Sequence, residues 1–277
     1  MRTIKASLIT KVIGELAQEA NFVLRKDALL ALRLALKEET NKRARSLLES
    51  IIENADIAKS ERLAICQDTG LPIVFVELGQ DVKIEGDLRN AIIKGVETGY
   101  RKGYLRNSIV ADPLVRGKSG YSPCVIHIDV VRGVKLKLTV LPKGFGCENK
   151  SKLKMFEPTA DIKEIKQFIL EGVKAAGPDA CPPFVLGIGI GGTADYAMLL
   201  AKKALLKPIP KPQFLNPKRL EYELLREINR LNIGPMGLGG KTTCLAVNIE
   251  TYPTHIAGLP VAVNISCHAL RSATKVI

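Results

Sequence analysis

Apolar runs no longer than a strand alternate irregularly with stretches that repeat apolar residues at helical spacing, and this pattern restricts the chain to a layered mixture of helices and sheet. The strongest run, FVLGIGI at 184–190, suits a buried strand and is far too short to span a bilayer, so no membrane segment is expected. Residues 7–54 read as helices, with Leu8, Val12, Ile13 and Leu16 and then residues 28–36 placing apolar side chains at helical spacing among lysine, arginine and glutamate. PIVFVEL at 72–78 is a short strand, and residues 88–101 are helical again. Two strands follow at 124–131 and 134–141, joined by Arg132-Gly133 as a two-residue hairpin turn. In the second, Lys135 and Lys137 alternate with Leu136 and Leu138, as in a strand with one wet face. An amphipathic helix at 160–176 stops at Gly177-Pro178, and another helix spans 193–206. Pro208, Pro210, Pro212 and Pro217 mark a stiff connection before a charged helix at 218–231, which ends near Gly234, and strands close the chain at 244–250 and 261–265. The expected class is α/β, a mixed sheet with flanking helices and an N-terminal helical layer over about residues 1–57.

At 277 residues, 46% hydrophobic and 25% charged, the chain can bury a substantial core and lacks the composition of a disordered protein. The N-terminus leads into a helical pattern rather than a secretory signal, so a cytoplasmic location is expected. None of the six cysteines forms a C-x-x-C pair, which argues against a zinc ribbon or finger; a metal would need ligands gathered by the fold. The net charge of +13 arises from 41 basic residues interspersed with 28 acidic ones, without an aromatic-basic RNA motif. Such a surface suits anionic small substrates or an acidic partner subunit better than nucleic acid.

Two glycine motifs invite nucleotide readings. Gly187, Gly189 and Gly192 satisfy G-x-G-x-x-G between a strand and a helix, the setting of a nicotinamide-binding oxidoreductase. That fingerprint also needs an acidic residue about 20 positions on, and residues 207–214 are proline-rich without a carboxylate. Gly240-Lys241-Thr242 resembles the end of a phosphate loop, but Pro235 stands where its first glycine should. Gly234, Gly237, Gly239 and Gly240 can still offer backbone N–H groups to an anion beside Lys241, or simply form a glycine-rich helix exit.

A third pattern carries more chemistry. Cys66-Gln67-Asp68-Thr69-Gly70 sets a soft metal ligand two residues from a carboxylate at a glycine turn. Cys181 precedes Pro182-Pro183 at the start of a buried strand, and Cys267 follows a β-like run. Element ends of this kind present ligands, although three cysteines beside strands are also ordinary core. Cys124 and Cys244 lie within β-like runs and read as core thiols.

The stretches ICQDTG (65–70), YLRNS (104–108), KGFGCENKS (143–151), ACPP (180–183), GIGIGGT (187–193), IGPMGLGGKTT (233–243) and GLPVAVNISCHALR (258–271) together resemble the α subunit of two-subunit class I fumarate hydratases and of the similar L-tartrate dehydratases. The resemblance covers nearly the whole chain and implies a single catalytic domain over 1–277. It implies an oxygen-sensitive [4Fe-4S] cluster on Cys66, Cys181 and Cys267, with one iron left for a dicarboxylate substrate such as fumarate or malate. It further implies Asp68 as acid/base, and Gln67, Arg106, a glycine of the 144–146 loop taken as Gly146, and His255 as substrate contacts. The family loop is closer to G-G-G-S than to Gly144-Phe145-Gly146-Cys147, and Cys147 is a rival ligand. A separate β subunit, in an α2β2 heterotetramer, is expected to supply a threonine acid/base and further cationic contacts, leaving this chain inactive alone.

Overall fold

The computed structural model of the protein describes residues 2–210, 216 and 219–277. Among them, no helix is long and apolar enough to cross a membrane. The chain forms two compact units, Met1–Arg25, Ala55–Phe145 and Arg271–Ile277 in the first, and Lys26–Asn54 and Gly146–Leu270 in the second.

The first unit is built on a four-stranded sheet of β2 (Leu71–Gly79), β6 (Val125–Val131), β7 (Leu136–Lys143) and β12 (Ala273–Val276), in the order β12-β7-β2-β6. Against it pack α1 (Ala6–Phe22) and α4 (Leu88–Lys102). Ile9, Val12, Ile13 and Leu16 of α1 are buried with Val74, Val76, Leu138 and Val140 of the sheet. Each fully buried aliphatic side chain contributes about 1.5–3 kcal/mol. The two helices cross closely because Gly14, Gly95 and Gly99 line the crossing; a Cβ on Gly99 would stand 2.6 Å from the Gly14 carbonyl oxygen. Asp87 caps α4 by accepting from the Asn90 N–H, and Arg101 and Lys102 suit the negative end of its dipole.

The expected hairpin at Arg132-Gly133 does not form. β2 inserts between the two strands, pairing parallel with β6 and antiparallel with β7. β2 is apolar and buried through its middle, as a central strand must be, and the 131–135 segment instead crosses its end, where the Gly79, Gln80 and Asp81 N–H groups donate to Lys135, Val131 and Gly133. The alternation of wet and dry residues in β7 also stops at Leu138, beyond which both faces are buried. Two small pairs complete this unit, β1 (Arg2–Lys5) with β3 (Val82–Glu85) and β4 (Ile109–Asp112) with β5 (Arg116–Gly120).

The second unit has its own sheet of β8 (Lys152–Phe156), β9 (Phe184–Gly191), β10 (Cys244–Tyr252) and β11 (Leu259–Ser266), ordered β10-β9-β11-β8. β9 runs parallel to β10 and antiparallel to β11. Its glycines serve packing: a Cβ on Gly187 or Gly189 would come 2.0 Å from the carbonyl oxygens of Ala201 or Ala197 in α7 (Ala194–Ala204). The G-x-G-x-x-G pattern thereby seats a helix on a strand. On the same sheet lie α6 (Ile162–Ala176), opened by an Asp161/Glu164 capping box and closed by Gly177 at φ +53°, and α8 (Leu220–Asn229). Of the N-terminal helices, α2 (Lys26–Glu38) belongs to this unit and α1 to the first. Pro212, Pro217 and residue 218 lie outside the described residues. Both sheets mix parallel and antiparallel pairs, which places the fold in the α/β class with flanking helices.

Candidate active site

In the first unit the site residues gather where α3 (Lys42–Glu61) gives way to β2. Cys66 is half-buried, Gln67 exposed and Asp68 half-buried. The Ile65 N–H donates to the Asn21 carbonyl, tying the segment to α1. Asp68 is held at both oxygens, Oδ1 accepting from the Gly70 N–H at 2.9 Å and Oδ2 from the Phe145 N–H at 2.7 Å. Gly70, at φ +74°, lies so close to β7 that a Cβ would meet the Lys143 backbone at 2.8 Å. The buried Thr69 accepts from the Arg106 N–H through its hydroxyl at 3.1 Å, and its carbonyl accepts from the Tyr100 hydroxyl at 2.8 Å. Burial raises the Tyr100 hydroxyl pKa well above its ordinary value, keeping it a donor. The Arg106 side chain is exposed.

Arg271 fixes the same loop from the C-terminus. It is 3% exposed, and its guanidinium donates to the Asn21 side chain at 3.1 Å and to the Asp68 carbonyl at 2.9 Å. Gly144 lies close against the carboxylate, since a Cβ there would stand 3.1 Å from Asp68 Oδ2. Neither Arg271 nor Gly144 carries a role in the sequence-based assignment. Their signal is their position inside the matching stretches at 258–271 and 143–151.

The second unit brings Gly146, Cys181 and Cys267 to one end of its sheet. Cys181 stands just before β9 in the left-handed region (φ +52°), a conformation costing a non-glycine residue about 1–3 kcal/mol. Its carbonyl is met by the His268 N–H at 3.4 Å and lies 3.0 Å from His268 Nδ1, which brings the Cys267-His268 segment against it. Gly146 faces the carbonyl of Asp179, two residues before Cys181. Cys147 is buried, its thiol donating to the Ala180 carbonyl at 3.3 Å, so as a rival ligand it has no exposed sulfur to offer.

His255 does not join them. It is exposed in the loop between β10 and β11, its Nδ1 accepting from the Ala257 N–H. That loop borders Gly191-Gly192, while Cys181 and Cys267 adjoin Phe184 and Ser266 at the other end of the paired strands, roughly 20 Å away at about 3.3 Å per residue. The glycine loop around Lys241 is also accounted for. The N–H groups of Gly234, Gly237, Gly239, Gly240 and Lys241 donate to Thr243, Gly234, Ile233, Asn232 and Glu39, and Lys241 Nζ donates to the Glu38 carbonyl. The anion reading of this loop gives way to the helix exit.

The six cysteines divide cleanly by burial. Cys66, Cys181 and Cys267 are half-exposed, whereas Cys124, Cys147 and Cys244 are buried. Burial pushes the Cys124 and Cys244 thiols up to about 11 and about 12, where the thiolate that a metal requires is scarce. Among the described residues no three or more His, Cys, Asp or Glu converge as ligands of a single metal ion. In an iron-sulfur cluster each thiolate binds its own iron, and three accessible thiols at element ends are a donor set of the right chemistry.

The sequence comparisons agree with the motif reading. A family model described as fumarate hydratase (Fumerase) matches residues 10–276. A relative from Methanocaldococcus jannaschii, provisionally named as an L(+)-tartrate dehydratase subunit alpha, is 41% identical over 96% of each chain. The L(+)-tartrate dehydratase subunit alpha of Escherichia coli O157:H7 is 29% identical over 97% of this chain and 90% of its own. The fold and the match define a hydro-lyase. The chain belongs to the fumarate hydratase (Fumerase) family.

Proposed function

We propose that the chain is the α subunit of a two-subunit enzyme that reversibly hydrates fumarate to L-malate. The observation that carries this reading is the Asp68 carboxylate, clamped at both oxygens beside the half-exposed Cys66. Hydration places hydroxyl on one alkene carbon and a proton on the other, so it needs a positioned group to move that proton and a grip on the two carboxylates. Asp68 is suited to the first task, because its clamp fixes the carboxylate without using every lone pair. Arg106 is suited to the second: its backbone is tied to Thr69, and its exposed guanidinium offers a fork to a substrate carboxylate. Gln67 and the backbone of the 144–146 loop, including Gly146, add neutral donors. Cys66, Cys181 and Cys267 would hold a [4Fe-4S] cluster, which would supply Lewis acidity toward the hydroxyl oxygen of the substrate.

Residues 1–277 serve in this reading as one catalytic domain, completed by a separate β subunit in an α2β2 assembly. The names of the relatives, each an alpha subunit, support the division. Those names also favour a second substrate, L-tartrate dehydrated to oxaloacetate, which differs from malate by one hydroxyl. The test is anaerobic co-expression with the β subunit, iron and sulfide analysis, and assays with malate and tartrate side by side. A brown complex with higher kcat/KM for malate is expected. A folded, iron-free complex that still hydrates fumarate would overturn the cluster, and a preference for tartrate would transfer the assignment to the second substrate.

A further inference from the structure

The outer strands of the two sheets are not equally protected. A bare strand edge invites pairing with another chain, and proteins blunt such edges with short strands, lysines, prolines or covering helices. β12 spans four residues and carries Lys275. β8 carries Lys152 and Lys154 without an acid, and β10 is flanked by α2 and α8. Among the described residues β6 has none of these guards, and Asp129 is its one acidic side chain. It is seven residues long (VIHIDVV), has neither lysine nor proline, and leaves Val130 70%, Val125 42% and Ile128 41% exposed.

We propose that β6 is the surface through which two copies of this chain associate, antiparallel and edge to edge, about a two-fold axis at Ile128. The Val131 carbonyl accepts from the Gln80 N–H at the end of β2. By strand alternation the odd-numbered residues therefore turn their backbone groups toward β2, and Ile126, Ile128 and Val130 turn theirs outward. Pairing centred on Ile128 sets Ile128 against itself and Ile126 against Val130 of the second copy, giving about six backbone hydrogen bonds. Between them, Val125 meets Val131 and His127 meets Asp129, twice by symmetry.

The His127/Asp129 match selects this register. His127 is held in place by stacking on Phe75, ring centroids 5.3 Å apart, and as an odd-numbered residue it shares a face with Asp129. In the non-hydrogen-bonded positions of an antiparallel pair, facing side chains come closest, which favours opposite polarity. Sliding the pairing by one position of the axis either way within the same phase sets Asp129 against Asp129 or His127 against His127. The apolar positions tolerate either slip; the polar ones do not. The isologous contact would continue each four-stranded sheet into one of eight. This surface stands on the sheet edge alone and does not depend on the dehydratase reading.

The test is sedimentation velocity of the full chain over a concentration series. A reversible dimer is expected, and Ile128→Lys should raise its dissociation constant by about tenfold or more while leaving the far-ultraviolet circular dichroism unchanged. A register-specific arm uses oxidative cross-linking above the wild-type background: Ile128→Cys should link to itself, since facing Cα atoms lie about 5.5 Å apart, whereas Val130→Cys should not. A chain monomeric throughout, a dimer indifferent to Ile128→Lys, or equal cross-linking at 128 and 130 would overturn the proposal. So would an Ile128→Lys effect confined to binding of a different protein.

Discussion

At the scale of single residues, solvent around a thiol decides what it can do. Cys124 and Cys244 are raised from 9.0 to about 11 and about 12 by burial, while Cys66, Cys181 and Cys267 keep contact with water. In cluster-free protein at pH 8, iodoacetamide should therefore label the latter three first, read by peptide mass mapping; early labelling of Cys244 would contradict the division. The same shifts tie stability to pH with a definite sign. Below about pH 9 both buried thiols are protonated whether the chain is folded or not, and between 9 and about 11–12 only the unfolded chain gives up their protons, so stability falls as pH rises through that window. Cys244→Ala should flatten the upper part of the fall in urea titrations. Around Asp68 the expectation is kinetic. Asp68→Asn should lower kcat of the assembled enzyme by about 10²–10⁴-fold with the fold intact. The Arg271 fork reaches Asn21 and the Asp68 carbonyl together, which a lysine cannot reproduce. Arg271→Lys should reduce kcat more than it changes KM, and an unchanged kcat would remove Arg271 from the positioning of Asp68.

At the scale of elements, β9 and α7 approach until only glycine fits. Gly189→Ala sets a methyl against the Ala197 carbonyl, 2.0 Å from its Cβ, with backbone on one side and sheet on the other. The cost should be about 3 kcal/mol or more, seen as a lower urea midpoint, and a neutral outcome would mean that α7 is free to lift. The same glycines show what local pattern can reveal. Their spacing announced a strand followed by a helix, correctly, but the pattern alone does not say whether the missing Cβ atoms admit a phosphate or a helix backbone. α4 and α6 were legible because caps and apolar spacing agree, and β9 because nothing but a buried strand fits seven such residues. The hairpin was misread because a two-residue glycine turn is a local signal, whereas the insertion of β2 is a pairing across some 50 residues that no turn residue encodes. β1, β3, β4 and β5 escaped because strands of four or five residues offer too few alternations to count. In the site, Cys66, Cys181 and Cys267 stood out by motif resemblance. Arg271 and Gly144 did not, since a buried guanidinium and a close backbone approach exist only once the chain is folded.

At the scale of the whole molecule, charge bears on the proposed dicarboxylate substrate. The surplus of +13 is spread over the sequence rather than gathered in a tail, so at distances beyond a few ångströms a small anion meets a generally positive body. A dicarboxylate is doubly negative at neutral pH, and its attraction to that field is screened over about 10 Å at 0.1 M salt and about 3 Å at 1 M. Encounter is governed by the field of the whole protein, whereas the proton transfer proposed for Asp68 depends on contacts within hydrogen-bond reach, which salt screens little. The two therefore separate in steady-state kinetics. For the assembled enzyme, kcat/KM for the dicarboxylate should fall as sodium chloride rises from about 0.05 to 0.5 M, with kcat nearly constant. The loss should be reproduced by potassium chloride at equal ionic strength, as screening requires, and not by sucrose. If kcat fell in step with kcat/KM, salt would be acting on the site or on subunit assembly, and the basic surface would have no part in drawing the substrate in.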